Sequence, residues 1–375
     1  MKKKLAVVII FIAILVLPMV SWPIASMFNL PTVEENREKA KFPMFGNDVF
    51  TQFDAYFADR APYRDLLIKL YKNVERSLGL FYEKLLPHDG TQDYYTEINK
   101  AIIGQEGWLF YTGDNSVDFY KGTNLPTEKE LKDYVKRAEK VNDYFKKQGK
   151  EFVIILAPNK EQIYSEYMPQ GIHVVSQTKR ADVIYDYFKK HSNVTVLYPK
   201  AELLAAKENY VVYRKQDTHW NNYGGYIGAK TIFDALKMAI GDVEITETTF
   251  SGGDLAIMAA MNGEKYTDYK VSYRSNISLK YSISTTYESV IESSNTNGKH
   301  LLLLGDSFRE GMREVLAKEY ETSVINHRDG FGVANDYSKE FDTATTVIFQ
   351  AVERYESMIF AKGGLLDRFI NIYGL

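Results

Sequence analysis

The sequence predicts an α/β fold: a mostly parallel sheet with helices on both faces, preceded by an N-terminal transmembrane segment and helices. Three observations carry this. Glu151-Phe152-Val153-Ile154-Ile155-Leu156-Ala157 and Leu301-Leu302-Leu303-Leu304 are continuous apolar runs rather than alternating ones, the pattern of strands covered on both faces. Stretches of strand and helix character then alternate as far as Gln350, which favours parallel pairing through crossover helices. Finally, Leu5 to Val20 holds 15 apolar residues and one proline directly behind Lys2, Lys3 and Lys4.

The elements follow in order. Leu5 to about Ala25 just reaches the ~20 residues that cross a hydrocarbon core, and the three lysines hold the N-terminus on the cytoplasmic side. Residues 1–25 are therefore expected to be a retained anchor. A cleaved signal peptide is the alternative, although Pro23-Ile24-Ala25 is a poor cleavage site. Either way the body is expected outside the cytoplasm, as a single-pass protein of the cell membrane or as a secreted one.

Residues 26–90 are read as a membrane-proximal helical segment. Val49, Phe50, Phe53, Tyr56 and Phe57, then Leu67, Leu70, Tyr71, Val74 and Leu78, recur at helical spacing. Their aromatic content argues for packing on the body. Residues 91–375 form the main domain. It begins with turns and a short strand at Gly107-Trp108-Leu109-Phe110-Tyr111. Thr127 caps a helix over 128–148, with Glu128 and Glu130 in its first turn. Strand 151–157, helix 178–190, strand 194–198, a short helix over 199–207, an extended piece at 210–214 and helix 221–240 follow. Residues 242–298, rich in Ser, Thr, Asn, Gly and Tyr, break the rhythm. They are expected to be an insertion of loops or a small hairpin over the site, with a helical piece near Leu255–Met261. Strand 301–304, a helix from about Phe308 to Lys318, strands 322–325 and 345–350 and a helix over 356–370 complete the chain.

Composition narrows the chemistry. The chain has no cysteine, which excludes disulfides, thiolate nucleophiles and Cys-based metal sites. Its formal net charge is −3, and without the three N-terminal lysines −3 − 3 = −6. An acidic body has no electrostatic reason to bind nucleic acid.

Ser307 sits where the strand 301–304 exits through Gly305-Asp306 into a helix. The C-terminal ends of parallel strands are where open α/β sheets place ligands, and a helix start offers free N–H groups to an oxyanion. Serine before a helix is more often only a cap, and Asp306 serves equally as a capping residue. A base is therefore required. Of the six histidines, 88, 173, 191, 219, 300 and 327, His219 has the best neighbourhood, in Asp217-Thr218-His219-Trp220. In extended backbone the side chains at 217 and 219 point to one side. Asp217 can then orient the imidazole, and the other ring nitrogen can take the Ser307 proton. Trp220 packs behind the ring or walls the pocket. Arg328, after strand 322–325, is a candidate for binding a carboxylate or an intermediate. Asp-x-His also occurs at metal sites, but no His-x-x-x-His or Glu-rich partner accompanies it. Neither metal nor cofactor is expected.

These residues also resemble a known family. Gly305-Asp306-Ser307-Phe308 resembles the serine block of SGNH hydrolases, and Asp217-Thr218-His219-Trp220 the signature of the DHHW family and the related alginate O-acetylation proteins AlgX and AlgJ. Asp and His precede Ser here, as in that group. Glu35-Asn36-Arg37, Phe57-Ala58-Asp59-Arg60, Gly107-Trp108-Leu109-Phe110, Pro158-Asn159-Lys160 and Ser251-Gly252-Gly253-Asp254-Leu255 are similar to further blocks, so the resemblance spans about 33–350. Thr218 stands where the family name records a histidine. The resemblance implies a three-layer α/β/α SGNH-type domain with Ser307 as nucleophile, His219 as base and Asp217 as its orienter. It also implies an extracytoplasmic O-acetyltransferase acting on a cell-surface or secreted polysaccharide beside a multi-pass membrane acyltransferase that supplies acetyl. The alternatives are a carbohydrate O-acetyl esterase and a non-catalytic polysaccharide-binding scaffold. The Asn block of SGNH hydrolases has no secure match; Asn159 is the candidate for its oxyanion donor.

Overall fold

The computed structural model describes residues 38–375 apart from 45, 47, 62, 87–91, 262, 275, 333 and 334, together with Ile9, Phe11, Ile12 and Val16. The rest of the expected anchor over 1–25, the block Glu35-Asn36-Arg37 and His88 lie outside the described residues.

The centre is a seven-stranded sheet. In chain order its strands are β4 (Glu151–Ala157), β5 (Thr195–Leu197), β8 (Leu279–Ser284), β9 (Glu288–Ser293), β10 (His300–Gly305), β11 (Thr322–His327) and β12 (Thr346–Val352). Their spatial order is β5-β4-β12-β10-β11-β9-β8. The first five are parallel. The continuous apolar runs do what such runs must. In β4 and β10, Val153, Ile155, Leu301 and Leu303 point to one face, and Phe152, Ile154, Leu156, Leu302 and Leu304 to the other, as the two-residue period of a strand requires. The first face is covered by helices Asn222–Ala235 and Arg309–Glu319, through Ala229, Ile232, Phe233, Met312 and Leu316. The second is covered by helices Glu128–Lys147, Arg180–His191 and Leu365–Tyr373. Thr127 caps its helix in a capping box: its hydroxyl accepts from the Glu130 N–H at 3.2 Å and its own N–H donates to Glu130 Oε2 at 2.8 Å.

The sheet is mixed: the five strands from β5 to β11 are parallel, and two antiparallel strands are added at one edge, which corrects the expected fold class. β9 runs antiparallel to β11, and β8 antiparallel to β9. The cause is the 242–298 segment. A three-residue connection between β8 and β9 leaves no length for a crossover, so the pair must be antiparallel, and it adds to the exposed edge of β11. The same segment forms a separate ribbon of β6 (Val243–Ser251) and β7 (Lys265–Tyr273). Its connecting loop carries the helix Asp254–Met258 back toward the sheet rim. Leu255, Ala256 and Ala259 there share a core with Ile98, Ala101, Ile103 and Leu109 of a small antiparallel sheet: β1 (Glu97–Ile98), β2 (Ala101–Ile103) and β3 (Leu109–Tyr111).

Two further expectations change. Helices Val49–Ala58 and Arg64–Leu85 form as the periodicity predicts, but neither has a buried residue. Leu67, Leu70, Tyr71, Val74 and Leu78 are exposed rather than packed on the body. Among the described residues, moreover, no helix is long and apolar enough to cross a membrane. The longest, Arg64–Leu85, carries Arg64, Asp65, Lys69, Lys72, Glu75, Arg76, Glu83 and Lys84, and charge of that density cannot enter hydrocarbon. The structure thus gives no support to the transmembrane segment, the single-pass membrane location or the multi-pass acyltransferase partner expected beside it, and these are withdrawn.

Candidate active site

Ser307 stands at the C-terminal rim, directly after β10. Gly305 lies flat against the neighbouring strand, where a Cβ would fall 2.3 Å from Gln350 Oε1. A side chain there would push Gln350 away from its bond to Asp306. Asp306 is buried beneath the turn. Its carboxylate accepts from the Phe308 N–H at 3.0 Å, from Gln350 Nε2 at 2.9 Å and from the Val352 N–H at 2.6 Å. It therefore ties the exit of β10 to the end of β12. Ser307 itself is exposed.

The second half comes from the loop between Tyr213 and Trp220, which form an isolated antiparallel bridge. Inside it, Lys160 Nζ donates to the carbonyls of Arg214 (3.2 Å), Lys215 (3.2 Å) and Asp217 (2.6 Å). Burial brings this amine down to about 8. The loop presents Asp217 and His219 as an oriented pair. Asp217 Oδ1 accepts from the His219 N–H at 2.9 Å and lies 2.7 Å from His219 Nδ1. The proton therefore belongs on Nδ1, which leaves Nε2 as an acceptor. His219 Nε2 is 2.7 Å from Ser307 Oγ, so the hydroxyl donates to it. The three side chains thus form one hydrogen-bonded relay across 88 residues of sequence separating His219 from Ser307.

Electrostatics favour a basic imidazole. Burial alone would lower the His219 pKa, but the hydrogen bond and charge of Asp217 and the charge of Asp254 raise it above its ordinary value. For Asp217, burial raises the carboxyl; the bond and charge of His219 outweigh this and hold it well below the carboxylate range.

Trp220 is buried, its Nε1–H donates to the Phe308 carbonyl at 2.8 Å, and its ring meets Phe308 edge-on. It supports the serine turn from behind rather than walling an open pocket. Arg328 is buried, 3.6 Å from Asp306 Oδ2 and 5.0 Å over the Tyr355 ring. Asn159 is fully buried. Its N–H donates to Glu353 Oε1 at 3.1 Å and its Oδ1 accepts from Arg354 at 2.8 Å, while its Nδ2 has no partner.

Several neighbours escape the sequence reading. Arg354 lies 5.6 Å over the Phe308 ring, and the His219 ring lies 5.0 Å from that same ring. Glu353 is fully buried and accepts from Tyr198 Oη at 2.6 Å. Asp254, from the 252–264 loop, stands 3.5 Å from His219 Nδ1. Its Gly-Gly-Asp context is the only local signal; its partner is 35 residues away in sequence. Asp217, His219 and Asp254 bring potential metal-ligand atoms within 4.8 Å of one another. Those atoms are already engaged. Nδ1 must carry the proton that Asp217 accepts, and both Asp254 oxygens accept from Thr218. The set fits a hydrogen-bonded relay better than an ion.

Known proteins are similar to this chain in fold and in sequence family. A DHHW family protein from Eubacterium siraeum superposes with a TM-score of 0.51 at 16% identity, covering 74% of this chain and 97% of its own; this likeness shows the fold. Bacillus cereus PatB1 with a sulfonyl adduct gives 0.47 at 19% identity over 67% and 93% of the two chains. The O-acetyltransferase domain of Pseudomonas putida AlgJ gives 0.46 at 14% over 68% and 91%. No curated protein matches the sequence. The family described as SGNH hydrolase-like domain, acetyltransferase AlgX, matches residues 101–343. That stretch holds both rim loops and supports, in general terms, an enzyme of acyl transfer or ester cleavage. The chain belongs to this AlgX family of SGNH hydrolase-like domains.

Proposed function

We propose that the protein is an O-acetyltransferase that moves an acetyl group onto a polysaccharide hydroxyl through an acetyl-Ser307 intermediate. One observation supports this above the others: contacts of 2.7 Å on both sides of the His219 imidazole, to Asp217 and to an exposed Ser307. As Ser307 Oγ bonds the acetyl carbon of the donor, its proton passes to His219 Nε2. Asp217 holds the ring and balances its new charge. The oxyanion draws on the backbone N–H of Ser307 and on the orphan Asn159 Nδ2, whose amide Arg354 orients. The tetrahedral centre collapses, the leaving group departs with the Nε2 proton, and acetyl-serine remains. A sugar hydroxyl then gives its proton to Nε2 and attacks, which releases the acetylated sugar and free Ser307. Asp306 and Trp220 hold the turn rigid, and Arg328 packs beneath it.

The test is acetyl-enzyme formation from 4-nitrophenyl acetate, read by mass spectrometry, followed by addition of an oligosaccharide. Wild-type protein gains one acetyl group at Ser307 and passes it to the sugar; Ser307→Ala, folded as judged by circular dichroism, gains none. Equal labelling of the variant would refute the site. Acetate passing only to water would replace transfer by esterase activity.

A further inference from the structure

We propose that Asp254 is a positioning residue for His219: a second carboxylate, delivered by the 252–264 loop, that fixes the Nδ1 edge of the imidazole and shares the charge the ring gains when Nε2 is protonated. This rests on the reading of His219 as the base for Ser307.

The geometry is that of a clamp. Asp254 Oδ1 accepts from the Thr218 N–H at 2.7 Å, and Oδ2 accepts from Thr218 Oγ1 at 2.6 Å. The residue between Asp217 and His219 is thereby held at both its backbone and its side chain. In return the Asp254 N–H donates to Asp217 Oδ2 at 3.2 Å. Both oxygens of Asp217 are then engaged, and it cannot swing away from the ring. Three oxygens face the Nδ1 edge: Asp217 Oδ1 at 2.7 Å, Thr218 Oγ1 at 3.2 Å and Asp254 Oδ2 at 3.5 Å. One N–H cannot bond all three well. Asp217 takes the bond, and Asp254 acts through its charge.

Asp254 is not there by accident of a loose loop. Gly253 adopts φ +142°, and a Cβ on it would meet the Gln216 carbonyl oxygen at 2.3 Å. The Ala256 N–H donates to Gln216 O at 3.2 Å, the Glu264 N–H to Gln216 Oε1 at 3.0 Å, and Tyr266 Oη to Gly252 O at 2.7 Å. Leu255, next along, is fully buried in the core shared with the small sheet. The loop is therefore docked by backbone and apolar contacts that place the carboxylate. Thr218 gives this arrangement its hydroxyl, so the residue that departs from the family name has a stated use here.

Charge on the imidazole is set by three groups from three elements. Asp217 and Asp254 favour the protonated ring, and Arg354, after β12, opposes it. When Ser307 Oγ bonds the acetyl carbon and its proton moves to Nε2, the ring carries a full positive charge until that proton leaves with the departing group. Asp254 stabilises the ring over this interval. Loss of the charge lowers the proton affinity of Nε2, so the base stays neutral to lower pH but draws the serine proton less strongly.

Full-length Asp254→Asn tests this through the pH dependence of acetyl-enzyme formation from 4-nitrophenyl acetate. The acid limb is expected to move down by about one pH unit, and the plateau rate to fall by up to about tenfold, as Brønsted behaviour allows for that loss of basicity. Asp254→Glu, which keeps the charge, is expected to return the limb toward wild type. An Asn variant that slows the plateau without moving the limb has a merely structural role at this position, and that result would overturn the proposal. Should Asp254→Asn not fold, Asp254→Ser, which also removes the charge, takes its place. NMR titration of His219 gives the same answer without catalysis: a pKa that is unchanged between wild type and variant sinks the idea. Wild-type protein that forms no acetyl-Ser307 counts against the proposed function instead, while the NMR arm still reads Asp254.

Discussion

Asp306 offers the sharpest test of how the serine is held. In Asp306→Asn one carboxylate oxygen becomes an amide group. The carbonyl oxygen can still serve the Phe308 N–H and Gln350 Nε2, at 3.0 and 2.9 Å. The amide then faces the Val352 N–H, now 2.6 Å from Oδ2, and Arg328, 3.6 Å from the same atom, so donor meets donor. The bond lost is charge-assisted and worth about 1.5–3 kcal/mol, and a buried N–H left unpaired costs about 1–3 kcal/mol more. Removing the partner of the buried Arg328 adds to this. A loss of about 3–5 kcal/mol is expected, a large part of the ~5–15 kcal/mol that holds a domain. Equilibrium unfolding in urea measures it as a lower midpoint at unchanged slope. Because Ser307 follows directly, its acetylation by 4-nitrophenyl acetate should slow as well. A stability loss below about 1 kcal/mol, with unchanged labelling, would show that the turn stands without this carboxylate and that the accounting of its bonds is wrong.

Two further outcomes follow from the same structure. Gly253→Ala forces a side chain into a backbone region reserved for glycine and against Gln216 O. It should destabilise by at least about 2 kcal/mol and slow Ser307 labelling by displacing Asp254; an unaltered thermal midpoint would contradict the close packing of that loop. Burial raises the Glu353 carboxyl to about 7 from 4.5. The protonated form therefore suits the fold. The stability this group contributes is complete below pH ~4.5 and disappears as pH rises through ~7, an effect of about 3 kcal/mol. Glu353→Gln should flatten that part of the stability profile, and thermal melts between pH 4 and 8 that run parallel for both proteins would rule it out.

Sequence reading reached the parts of the site that local pattern encodes. Ser307 was legible because a four-leucine strand, a glycine and a helix follow one another in the chain. His219 was legible because an aspartate two residues away shares its side in extended backbone. Asp254 was not, since nothing in Ser251-Gly252-Gly253-Asp254 names its partner. Trp220 read as a pocket wall or a backing for the ring. The structure uses it as backing because its indole N–H finds the Phe308 carbonyl, a contact between residues 88 apart.

By itself the sequence determined what depends on neighbours in the chain. β4 and β10 were set by unbroken apolar runs that only two-faced burial satisfies, the helix after Thr127 by its capping box, and the candidate nucleophile by its strand exit. Only the tertiary structure decided the antiparallel hairpin at the edge of β11, the exposed apolar residues of the helices before residue 86, and the meeting of Asp217, Asp254 and His219 with Ser307. The reason is physical. Backbone propensity and side-chain period act over a few residues, whereas edge pairing and carboxylate–imidazole contacts are settled by which distant surfaces bury each other, and no single segment records that choice.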